Sequence, residues 1–229
     1  MYKTYIYNVK IFICINLFFY TYTTIGSMEQ IFTHIYQNHL WSGGGKETVS
    51  GGGSTLNSTS FIRKIIPVIL KKYNIKSMLD IPCGDFNWMK TIDFSNITYI
   101  GADIVLPLIK NNNKKYGNEN RTFLHLDVTK DLLPVCDIIL CRDLFLHIPF
   151  RDIIKAITNF KQSGAKYLLV DTYFAIKENK DKEADNGWRP LNLKIEPFNL
   201  PEPIETIKEN VHQKLQKHLA LWNLGDIKV

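Results

Sequence analysis

Apolar residues along this chain fall into two alternating patterns. Short unbroken runs, SMLDI (77–81), TYIGADI (98–104), FLHLDV (123–128), DIILCRD (137–143) and YLLVDTYF (167–174), have the length and composition of strands buried on both faces. Between them lie stretches whose apolar positions recur every three or four residues, as on a helix with one buried side. These predict helices over 31–40, 61–73, 105–117 and 153–162, plus a short one over FNWMKTI (86–92). Pro67 interrupts the second and is expected to kink it. Strand and helix alternate, so the expected fold class is α/β, a Rossmann-like doubly wound and mostly parallel sheet. The tail reads differently. LNLKIEPFNLP (191–201) and HLALWNLGDI (218–227) read as two strands around a polar helix over 204–215, an antiparallel C-terminal strand pair at one edge. No internal repeat is visible.

Domain organisation follows from where the pattern changes. Residues 61–229 carry the alternating α/β unit. Residues 28–60 form a helix and a glycine-rich segment, WSGGGKETVSGGGST, read as a lid whose glycines allow close backbone approach. Residues 1–27 are a leader with lysines, no acid and an apolar run closing on small residues. Three readings of it stand open. It is a signal peptide cut near Gly26 or Ser27, an uncleaved anchor, or an upstream extension of a protein that starts at Met28. Localisation follows that choice: cytoplasmic for a start at Met28, the secretory pathway or a membrane anchor otherwise.

Composition removes several function classes. The 229 residues are 45% hydrophobic, enough for one sizeable core. The net charge of +6 is spread along the chain without a run of basic residues, so no nucleic-acid partner is expected. Cys83, Cys136 and Cys141 show neither a disulfide framework nor zinc spacing, and no metal site is expected. GGGKET lacks the spacing of a phosphate-binding P-loop. His34, His39, His125, His212 and His218 show no ligand spacing and read as structural or exposed.

The candidate chemistry sits at the strand ends. In a parallel sheet the ligand crosses the carboxyl ends of the strands. There the sequence places Asp80, Asp103, Asp127, Asp143 and Asp171, with Asp85 just past the first turn. These acids repel a pyrophosphate, and IPCGDF has a single glycine, Gly84, where a dinucleotide fingerprint needs three. They attract a cation, and a sulfonium with an α-amino group is one. Asp103, ending the second strand, is placed to accept ribose hydroxyls. His147 follows Asp143 by four residues and has a side chain suited to general-base work near neutrality. Arg142 and Arg189 are candidate electrostatic helpers. Trp188 and Arg189 suit a planar or anionic acceptor.

The series LDIPCGD, YIGADI, FLHLDV, DIILCRDLFLHI, KYLLVDT resembles the motifs of class I S-adenosylmethionine-dependent methyltransferases over about 61–173. The resemblance implies S-adenosyl-L-methionine as cofactor and methyl transfer to a small-molecule or glycan oxygen or nitrogen. It implies that Asp80, Pro82, Cys83 and Gly84 form the turn beside the methionine moiety. Asp103 then holds the ribose, and Ile104 lies by the adenine. Asp127 and Val128 fall at the adenine amino group and edge, and Cys141, Arg142 and Asp143 near the transferred methyl. Trp41, Trp188 and Arg189 are the candidate acceptor contacts, and His147, Asp143 and Arg142 the candidate catalytic set. Pro82 departs from the pattern, standing where the family usually has the first glycine of the turn. The competing readings are a non-catalytic domain that binds cofactor or a partner, and an NAD-dependent oxidoreductase.

Overall fold

The computed structural model describes residues 26–42, 46–209 and 215–228. Nearly all of the leader therefore lies outside the described residues, as do 43–45 of the glycine-rich segment and His212. No described helix is long and apolar enough to cross a membrane.

The fold is a seven-stranded sheet in the order β3-β2-β1-β4-β5-β7-β6. Strands β1 (Ser77–Asp80), β2 (Thr98–Asp103), β3 (Arg121–His125), β4 (Ile138–Cys141) and β5 (Tyr167–Tyr173) run parallel. β7 (Lys217–Asn223) inserts antiparallel between β5 and β6 (Glu205–Lys208). Every residue of β4 and β5 is buried, as their continuous apolar runs require. Helices α1 (Met28–Gln37), α2 (Ile62–Lys72), α3 (Leu106–Tyr116) and α4 (Phe150–Gln162) accompany the sheet. Ser27, at the edge of the leader, is the N-cap of α1 and forms a capping box with Gln30. α2 runs unbroken through Pro67, whose missing N–H would have bonded the carbonyl of Arg63.

The expected fold class holds, with three corrections. FNWMKTI forms only a 3₁₀ turn, Met89–Thr91. LNLKIEPFNLP is not a strand. Its alternating apolar side chains Leu191, Leu193, Phe198 and Leu200 are all buried, but its backbone turns repeatedly and its prolines cannot donate to a ladder. The sixth strand is instead ETIK, inside the stretch expected to be a polar helix. As the outermost strand it faces solvent on one side, so its alternation is charged and weak.

The order reverses between β1 and β4: the chain winds outward through β2 and β3, then returns to add β4 and β5 on the other side. Such a switch point opens a crevice above the carboxyl ends of the two central strands.

Candidate active site

The crevice is a cavity of about 110 Å³ lined by side chains that include Asp80, Asp103, Trp88 and Phe32. It adjoins a larger and more polar cavity of about 430 Å³, whose walls include Tyr173, Trp188, Glu209 and Lys217. Trp41, Ser50, Arg142, Asp143 and His147 belong to both linings, so they stand where the cavities meet.

Asp80 and Asp103 end β1 and β2 on the floor of the smaller cavity, 3% and 7% exposed. The Tyr99 hydroxyl donates to one oxygen of Asp80. Backbone N–H groups of Val105 and Gly84 donate to the two oxygens of Asp103 at 3.0 and 3.2 Å. Neither carboxylate forms an ion pair among the described residues. Burial therefore dominates: it pushes Asp80 up to about 7 and Asp103 up to about 6. A pair of carboxyls with raised pKa in a mostly apolar cleft is short of positive charge.

The turn after β1 packs closely against the glycine-rich segment. Gly84 has φ +52°, and a Cβ there would stand 2.5 Å from Ser50 Oγ. Asn112, wholly buried in α3, donates to the Gly84 carbonyl at 2.8 Å. The glycine-rich segment closes over this turn. Asp85 accepts from Thr48 Oγ1 and the Val49 N–H, while its own N–H donates to Ser50 Oγ at 2.9 Å. Glu47 accepts from the Asn87 amide at 2.9 Å. Further along, a Cβ on Gly53 would stand 2.8 Å from Asp143 Oδ2, so glycine lets the segment lie directly on that carboxylate.

Behind the larger cavity lies a buried charge cluster. Arg142 forms a two-pronged bond to Glu209, at 3.0 and 2.8 Å, and a further pair with Asp143 at 2.6 Å. Lys217 pairs with Asp143, with Glu209 at 3.3 Å and with Asp171 at 3.7 Å. Asp143 has φ +59°, and its N–H donates to Asp171 at 2.8 Å. Burial opposes ionisation of Asp143, but Arg142 and then Lys217 overcome it and hold that carboxyl far below the usual range. For Asp171 burial wins, pushing it up to about 6. Glu209 falls within 204–215, expected to be a polar helix, and Lys217 falls between that helix and the strand expected from His218, so the sequence alone brings neither to the site. The signal available was the short alternation of ETIK beside the strand-like HLALWN.

His147 sits at the junction. Its Nδ1 lies 2.7 Å from the Gly187 carbonyl, which can only accept, so the neutral ring carries its proton on Nδ1. Nε2 then holds a free lone pair. Burial lowers the imidazole pKa, against the opposing pull of the Gly187 carbonyl and Asp143. The ring is thus a neutral base at physiological pH.

Other expected site residues stand apart. Asp127 turns back on Thr129 and pairs with Lys130, and the Val128 carbonyl accepts from Asn159; neither residue lines a cavity. Cys141 is fully buried in β4, its thiol pushed well up by burial. Arg189 lines neither of these cavities. Its guanidinium donates to the carbonyls of Lys180, Phe145 and Ile148, so it ties the 180s loop to the turn after β4. Trp188 does line the larger cavity and is 54% exposed at its rim, 6.4 Å from the Tyr173 ring.

No family model matches this sequence, and no curated protein matches it. Solved structures do match in fold. The N-methyltransferase NodS from Bradyrhizobium japonicum in complex with S-adenosyl-L-homocysteine aligns with TM-score 0.60 and 10% identity, over 82% of this chain and 97% of that one. Magnesium protoporphyrin IX methyltransferase from Synechocystis with bound S-adenosylhomocysteine aligns with TM-score 0.58 and 12% identity, over 85% and 98%. An S-adenosylmethionine-dependent methyltransferase from Clostridium acetobutylicum gives 0.55 and 12%, over 83% and 96%.

Proposed function

We propose that this chain, which has the class I methyltransferase fold, transfers a methyl group from S-adenosylmethionine to an oxygen or nitrogen of a small-molecule or glycan acceptor. The observation that carries this reading is the pair Asp80 and Asp103, buried at the switch point with no ion pair among the described residues. A positively charged nucleoside supplies what they lack, whereas the pyrophosphate of NAD would meet repulsion. NodS and the Synechocystis enzyme hold S-adenosylhomocysteine in their structures, which supports the same choice.

When bound, S-adenosylmethionine supplies an electrophilic methyl group on sulfur with a neutral thioether as leaving group. The protein's part is alignment and proton handling. Asp103, oriented by the Gly84 and Val105 N–H groups, keeps lone pairs for the ribose hydroxyls. Asp80, fixed by Tyr99, faces the cationic end. The larger cavity takes the acceptor between Trp188, Tyr173 and the segment around Gly53. His147 Nε2 removes the acceptor's proton. The glycine-rich segment, whose residues 46–55 lie over the turn after β1, acts as the lid.

Calorimetry with S-adenosylmethionine, S-adenosylhomocysteine and NAD tests the reading. Binding of the sulfur compounds and not NAD is expected; no heat with either sulfur compound would overturn it. Binding without turnover of any acceptor would favour the non-catalytic alternative. Asp103→Ala should weaken S-adenosylhomocysteine by roughly 1.5–3 kcal/mol through loss of an anionic hydrogen-bond acceptor. An unchanged affinity would remove Asp103 from the ribose site.

The raised carboxyls also set a pH dependence. A carboxyl with raised folded-state pKa contributes stability fully present below its ordinary value and lost as pH rises through the folded one. For Asp103 and Asp80 that loss spans about 6 and about 7. A bound cation favours the ionised forms, so the thermal shift produced by saturating S-adenosylmethionine should grow from about pH 5 to about pH 8. A shift that shrinks over that range would contradict the pairing.

A further inference from the structure

His147 and Trp41 are held by adjacent peptides of one loop. The His147 Nδ1–H donates to the Gly187 carbonyl at 2.7 Å, and the Trp41 indole N–H donates to the Asn186 carbonyl at 2.8 Å. Their rings face each other with centroids 4.6 Å apart and planes 36° apart. Trp41 arrives from the opposite end of the sequence. It follows α1, touches Phe32 with ring centroids 5.8 Å apart, and packs its Cβ 3.5 Å from the position a Gly51 side chain would take.

We propose that Trp41 is a positioning residue for His147, fixing the tautomer and orientation of the base through the loop that both side chains bind. This rests on the reading of His147 as the base. The indole covers one face of the imidazole and holds the loop whose next carbonyl binds Nδ1–H. Nε2 is then left free at the junction of the two cavities. Without the indole, water reaches the ring and competes for the Gly187 carbonyl, and both tautomers become populated. Charged groups face the imidazole from two other elements: Asp143 from the end of β4, and Lys182 and Asp185 from the loop before Asn186. Asp143 is independent of Trp41, whereas Lys182 and Asp185 share the loop that the indole holds, so the tautomer, and not the pKa alone, is the reading that reports the hydrogen bonding. The low imidazole pKa produced by burial is consistent with that cover.

The test is an NMR titration of ¹⁵N-labelled histidine in the full chain without cofactor, with His147 assigned by its loss in His147→Gln. In the native protein the His147 ring should be the Nδ1–H tautomer and titrate below an ordinary histidine. Trp41→Ala should raise its pKa by roughly half a unit or more and give mixed tautomers. Trp41→Phe, which keeps an aromatic cover without the N–H, should restore most of the pKa. If Trp41→Ala does not fold, Trp41→Leu carries the same comparison. Native pKa and tautomer in the Ala or Leu variant would overturn the proposal. Because no cofactor is present, this result is separate from the calorimetry: the titration can fail while S-adenosylhomocysteine binds, and the reverse.

Discussion

Replacing His147 with glutamine should slow methyl transfer at saturating cofactor and acceptor by about 10²–10⁴-fold, the range lost with a general base. The imidazole is the one group at the junction of the two cavities that combines a free lone pair with a depressed pKa. Asp143 is unsuited to the task because Arg142 and Lys217 hold it ionised and engaged. The native rate, followed as S-adenosylhomocysteine formed, should rise with pH and level off below the ordinary histidine pKa of about 6.5. The sign follows from burial: it disfavours the protonated ring, so the base form persists to lower pH. Reading the rate at saturation separates the base from any pH dependence of cofactor binding. In the glutamine variant that acidic limb should vanish while cofactor affinity stays within about twofold. An unaltered rate would remove His147 from the chemistry.

Lys217→Met should destabilise the protein by about 3–5 kcal/mol at neutral pH, as breaking one side of a buried ion cluster does. The substitution keeps the apolar stem. It leaves Asp143, Asp171 and Glu209 facing Arg142 alone. Urea unfolding with unchanged slope would read the loss. The sign with pH discriminates charge from packing. Asp143 has a depressed folded-state pKa, so its contribution is present above the ordinary carboxyl pKa and lost as pH falls through the depressed one. The gap between native and variant should therefore narrow on acidification. Asp171→Asn in the Lys217→Met background should recover part of the loss, because Asp171 is the carboxyl whose ionisation burial already opposes. A gap independent of pH would assign the effect to packing.

The parallel core was legible because burial on both faces demands unbroken apolar runs, and IILC and YLLV are such runs. Asp80 and Asp103 were legible for the same reason: each ends a run, and the carboxyl end of a parallel strand is where ligands lie. The tail was not. LNLKIEPFNLP buries its leucines as loop residues, packed by side chain rather than by ladder, and Asn192 takes up the carbonyls of Phe174 and Ile176. ETIK carries too little apolar character to announce an edge strand. Misreading those segments hid Glu209 and Lys217, and with them the reason Arg142 is immobilised. Arg189 was misjudged because its sequence neighbour Trp188 is exposed, while its own side chain turns inward to backbone carbonyls. Trp41 was singled out as an acceptor contact; its bond to a residue 145 positions away is a product of the tertiary fold.

The place of Lys217 in the chain bears on how the protein is made. Synthesis proceeds from the N-terminus, and elements fold as they emerge. Asp143 and Asp171 therefore leave the ribosome before Lys217, the cation they share. Until β7 inserts beside β5, the nascent cleft holds surplus negative charge and the sheet is open along β5. Fragments that stop short of β7 should expose that edge, making them targets for chaperones and proteases. β7 thus closes the β5 edge and brings in the cation of the buried charge cluster in one step.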